Sequence, residues 1–98
     1  MPNVIEFMSY KLKEGASVPD FLAASEKFHR EYVSKQKGFI SQKLLSDGET
    51  WADFLVWESM EDVEKAFGAA QEAEAFQELM SFLSEMTGEY LLPVEKSY

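Results

Sequence analysis

The chain has no cysteine, which removes disulfides, thiolate metal sites and cysteine nucleophiles together and suits a reducing compartment. It has a single histidine, His29. No second nitrogen ligand exists to build a metal site, and carboxylates alone favour weak binding of hard cations. Basic residues are scarce: nine Lys and Arg stand against eighteen Asp and Glu, a net charge of −9. That balance repels phosphate backbones and argues against a nucleic-acid partner. Long apolar runs are missing, none approaching the ~18 residues that span a bilayer, and the first nine residues lack a basic leader pattern. A cytoplasmic protein with no membrane partner is expected. Glycine-rich phosphate loops and zinc spacings are absent. So are internal repeats, low-complexity tracts and linkers, and one domain over residues 1–98 is expected.

What the chain does have is apolar and aromatic mass: 46% hydrophobic residues, with eight Phe, four Tyr and two Trp. Val4–Leu12 reads as a strand with Val4, Glu6, Met8, Tyr10 and Leu12 on one face and Ile5 and Phe7 on the other. Ser17-Val18-Pro19-Asp20 is a helix start, with a hydroxyl cap, a first-turn proline and a carboxylate at the dipole's positive end. Phe21, Leu22, Phe28, Tyr32 and Val33 form its apolar stripe, Ser25 and His29 lie within that stripe, and Gly38 is the expected stop. Phe39–Leu45 is a second strand, and Asp47-Gly48 reverses the chain into a third, Trp51–Trp57. Ser59, with Asp62 three residues on, caps the helical region 59–86, which divides near Gln71-Glu72 because one stripe cannot track its whole length. Glu89–Ser97 closes the chain as a strand. Pro93 places that strand at an edge or on a bulge.

The order β-α-β-β-α-β predicts an α+β, ferredoxin-like antiparallel sheet with helices on one face. The first and third strands are apolar on both faces, so the uncovered face predicts a homodimer formed through the open sheet.

The run EFMSYKLKEG, the capped helix, KGFISQKLL and DGETWADFLVWESMEDVEKA together resemble the dimeric α/β-barrel superfamily, in particular its antibiotic-biosynthesis-monooxygenase-like branch. The likeness spans nearly the whole chain and is most specific at Gly38-Phe39 and Trp57-Glu58-Ser59, which are scaffold positions rather than a catalytic motif. It implies a homodimer with a small pocket between helices and sheet in each protomer. It also implies a cofactor-independent monooxygenase or quinol oxidase acting on a small aromatic, with a non-catalytic ligand-binding dimer as the alternative. Haem-degrading relatives hold iron through a histidine after the third strand; residues 59–86 contain none.

For such chemistry His29 is the candidate base, able to take a phenolic proton near neutral pH; the plainer reading is a hydrogen-bonded histidine at a helix border. Tyr10, Tyr32, Trp57 and Tyr90 are the candidate walls of a site for a small apolar or aromatic ligand, or else ordinary core. No metal and no cofactor is expected. Glu6 and Asp53, mid-strand carboxylates among apolar neighbours, are either bases with raised pKa values or members of ion pairs near the rim.

Overall fold

The computed structural model describes residues 2–98. Its strands are β1 (Val4–Leu12), β2 (Phe39–Ser46), β3 (Trp51–Trp57) and β4 (Leu83–Pro93). Its helices are α1 (Val18–Glu31), α2 (Met60–Ala70) and α3 (Glu74–Met80), with a 3-10 turn at Val33–Lys35. The sheet runs β2-β3-β1-β4 with every neighbouring pair antiparallel, the ferredoxin-like order.

Short-range chemistry sets most boundaries. Ser17 Oγ accepts from the Asp20 backbone N–H at 3.2 Å and starts α1. The helix stops before Gly38, at Glu31, because the Tyr32 backbone (φ −127°, ψ −64°) leaves helical geometry, and the 3-10 turn carries the chain on. Gly38 then takes φ +85°. A Cβ there would lie 2.2 Å from Asp62 Oδ2, so glycine serves both the left-handed turn and the close approach of α2. Ser59 Oγ accepts from the Asp62 N–H at 3.2 Å and donates to Asp62 Oδ2 at 2.9 Å, a cap closed by two side chains. In the β2–β3 hairpin, Asp47 Oδ1 accepts from the backbone N–H groups of Glu49 (3.0 Å) and Thr50 (2.8 Å).

The second helical region divides where expected, between Ala70 and Glu74, but ends earlier than Met86. Ser81 Oγ donates to the Glu78 carbonyl at 2.6 Å, and the Phe82 carbonyl accepts from Lys13 N–H at 2.8 Å, so β1 captures the chain at residue 82. Leu83 and Met86 therefore belong to β4, where they pair with Leu12 and Tyr10. The register shifts between Ser9 and Tyr10 and between Lys11 and Leu12. One extra residue on β4 lets positions 83 and 86 share a face although they are three apart, which is helical spacing produced by a bulge. β4 is an edge strand, so Pro93 interrupts no ladder.

Both core clusters form on one face of the sheet. Val4, Leu55 and Trp57 pack with Val33, Val63 and Ala66; Tyr10 packs with Phe21, Ala24 and Leu79. The other face presents Ile5, Phe7, Phe54, Val56, Tyr90 and Leu92 by alternation and register. Tyr90 and Leu92 remain 53% and 55% exposed. No helix among the described residues is long and apolar enough to cross a membrane.

Candidate functional site

The two core clusters share only Phe28 among the partly buried side chains packed against them. The break between α2 and α3 leaves a gap over the middle of the sheet, and the small side chains Ala66 and Ala70 keep it open, giving a cavity of about 440 Å³. Its walls are apolar: Phe28 from α1, Val63 and Phe67 from α2, Phe76, Leu79 and Met80 from α3, and Met8, Leu55 and Trp57 from the sheet. Phe28 stacks on Tyr32 with ring centroids 5.3 Å apart. Met86 from β4 completes the apolar lining.

The floor is polar. Glu6 is 3% exposed and Asp53 is 7% exposed. They sit on neighbouring strands, diagonal to one another on the same face, since Glu6 is opposite Leu55. Such pairs are roughly 7 Å apart. Asp53 accepts on both oxygens, from Tyr10 Oη–H at 2.8 Å and from Gln42 Nε2–H at 3.1 Å. Glu6 Oε1 accepts from the Trp57 indole N–H at 2.8 Å. Among the described residues no fully buried polar side-chain atom lacks a partner. Among the described residues Glu6 Oε2 has no hydrogen-bond partner and is therefore not fully buried, and Glu6 lines the cavity. Burial pushes the Glu6 carboxyl up to about 7, against the Trp57 hydrogen bond and with help from Asp53 and Glu89. Burial raises Asp53 as well, opposed by Tyr10 and Gln42. Tyr10 is held neutral by burial and by the neighbouring Asp53 charge.

The candidate residues named from sequence divide. Tyr10, Tyr32 and Trp57 line the cavity. The Tyr32 hydroxyl donates to the Ala66 carbonyl, tying the end of α1 to α2. His29 does not line it: one position past Phe28, its ring turns toward edge strand β2. There Nδ1 lies 2.6 Å from Gln42 Oε1 and the ring meets Phe39 edge-on at 5.5 Å. Because Gln42 Nε2 is spent on Asp53, its Oε1 accepts, and His29 carries a proton on Nδ1. A chain of hydrogen bonds thus runs His29–Gln42–Asp53–Tyr10. Tyr90 is on the opposite face, paired with Phe7 in register and 6.5 Å from its ring, away from the cavity. The bulges of β4 put Glu89, not Tyr90, on the cavity side. Glu6 and Asp53 form no ion pair among the described residues; the salt bridges there lie on exposed helix surfaces. Gln42 escaped notice from sequence, since a glutamine in an edge strand gives no signal until its neighbours are known.

Comparison with family models and with curated proteins finds no match. Comparison with solved structures does. SnoaB, a cofactor-independent oxygenase from Streptomyces nogalater, superposes with a TM-score of 0.81 at 14% identity, over 99% of this chain and 97% of that one. A proposed antibiotic biosynthesis monooxygenase from Bacillus cereus matches with a TM-score of 0.66 at 21% identity, over 100% and 96%. A dimeric ferredoxin-like protein from an uncultured marine organism matches with a TM-score of 0.70 at 10% identity, over 100% and 92%. At such identities the likeness is one of fold. In architecture, the chain has a fold similar to that of antibiotic-biosynthesis-monooxygenase-like proteins.

Proposed function

We propose that the chain is a cofactor-independent oxidase or monooxygenase of a small aromatic, working in the cavity between helices and sheet. The observation that supports this most is Glu6: a buried carboxylate, half ionised near neutral pH, lining an aromatic-walled space. A bound phenol would give its proton to Glu6, and the electron-rich anion would then reduce O₂ directly. For a hydroquinone, two electrons and two protons pass to O₂, leaving quinone and hydrogen peroxide. For an activated ring methylene, one oxygen atom stays on carbon and the other leaves as water with the two hydrogens. Neither route needs a metal or flavin.

In this reading Tyr32 and Trp57 are walls, Tyr10 holds Asp53, and Glu6 rather than His29 is the base. His29 acts from outside, positioning Asp53 through Gln42. A second copy of the chain covers the open sheet face, a reading supported by the dimeric ferredoxin-like protein of similar fold.

The test is oxygen uptake over a panel of hydroquinones and anthrones. Consumption of O₂ above buffer is expected, falling by about a hundredfold in Glu6→Gln, the range of a lost general base. His29→Ala should have an effect well short of that. Uptake matching buffer, or untouched by Glu6→Gln, refutes the reading.

A further inference from the structure

The cavity holds negative charge with nothing opposite to balance it. Glu6, Asp53 and Glu89 line it; no lysine, arginine or histidine does. Buried carboxylates ordinarily acquire a countercharge or a full set of donors. Asp53 has donors on both oxygens. Glu6, 3% exposed and lining the cavity, has one donor on one oxygen and, among the described residues, no partner on the other. Among the described residues no three acidic or histidine side chains converge as a metal site would need, so the charge is spread along the wall rather than focused on a point. The aromatic side chains of Trp57, Phe28 and Tyr32 line the same space, and aromatic rings attract cations.

From this arrangement we infer that the cavity selects a hydroxyaromatic amine: a phenol whose hydroxyl donates to Glu6 and whose protonated amine lies in the field of Asp53 and Glu89. The inference rests on the cavity being the ligand site, as proposed above, but not on any oxygen chemistry. A neutral phenol satisfies only the Glu6 oxygen and leaves the remaining charge uncompensated. A carboxylate-bearing phenol adds a like charge and is rejected. Selection is thus by charge, with shape deciding only among cations.

Three phenols of nearly one shape separate these cases: tyramine (cation), 4-ethylphenol (neutral) and 3-(4-hydroxyphenyl)propionate (anion), titrated calorimetrically at physiological salt. Tyramine should bind at one site per chain about tenfold more tightly than 4-ethylphenol, a partly screened carboxylate contribution, and the anion should show no binding. The titratable groups lining the cavity with Glu6 are Asp53 on β3, Glu89 on β4, and Tyr10 and Tyr32; α2 and α3 present only apolar side chains to it, and Gln71 lies between them. The tyramine preference should therefore grow as pH rises through neutrality and Glu6 ionises. Glu89→Gln, at an exposed position, should lower the preference for tyramine over 4-ethylphenol several-fold. Glu6→Gln should weaken all phenols. Equal binding of tyramine and 4-ethylphenol, binding of the anion, or no binding by any of the three overturns the inference. Tyramine binding without oxygen uptake by any phenol would leave it standing and remove the oxidase reading instead.

Discussion

Replacing Glu6 by glutamine should make the protein more stable, and only above a definite pH. The carboxyl rises from an ordinary 4.5 to about 7 in the folded chain, so between those values the native state holds a proton that the unfolded state has lost. Stability falls as pH climbs through that interval, by roughly 3 kcal/mol in all, at 1.36 kcal/mol per unit. Glutamine keeps an oxygen for the Trp57 N–H, and its amide takes the place of Oε2, so the substitution removes the ionisation cost without orphaning the indole. Urea unfolding at fixed protein concentration, wild type against Glu6→Gln, should show a small constant difference near pH 4 that widens in favour of the variant to about 3 kcal/mol near pH 8. Asp53 leaves a residual slope in both proteins, because its own carboxyl is raised by burial; the difference between the curves isolates Glu6. A difference independent of pH, or a variant less stable than wild type near pH 8, would refute the account of Glu6 as a carboxylate ionised against its surroundings.

Gly38→Ala should destabilise by about 2–4 kcal/mol in thermal or urea melts, since φ +85° and the Asp62 contact both oppose a side chain; a neutral effect would mean α2 docks differently. Leu92→Lys, on the open face and 55% exposed in the single chain, should convert a dimer into a folded monomer by light scattering while sparing the cavity. A wild type of about 11 kDa in solution would dismiss the dimer.

Much of this architecture can be read directly from residue order, because most boundaries have a local cause: Ser17 and Ser59 as caps, Asp47-Gly48 as the reversal, Pro93 at a rim. The end of the last helix was not legible for a physical reason. Leu83 and Met86 keep the spacing of a helical stripe, and only pairing with β1, which no local residue announces, turns that spacing into a bulged strand. The same bulges decide which of Glu89 and Tyr90 reaches the cavity, so Tyr90 could not be placed by alternation alone. Glu6 and Asp53 were visible as carboxylates in apolar strands. What sequence left open was their partners, Trp57, Tyr10 and Gln42, each of which comes from a different strand than the carboxylate it meets. His29 drew attention by being the sole histidine, whereas its position one residue around the helix from Phe28 turns it toward β2.

The outermost strands carry their own instruction about growth. β4 is interrupted by two register shifts and ends on Pro93, and β2 carries an irregularity beside Ile40. Neither rim therefore offers a long, flat ladder on which another molecule could lay down a matching ribbon. Association through the broad greasy surface can close on itself as a pair, and the frayed margins disfavour the endless fibre that a sheet so rich in aromatic side chains would otherwise invite.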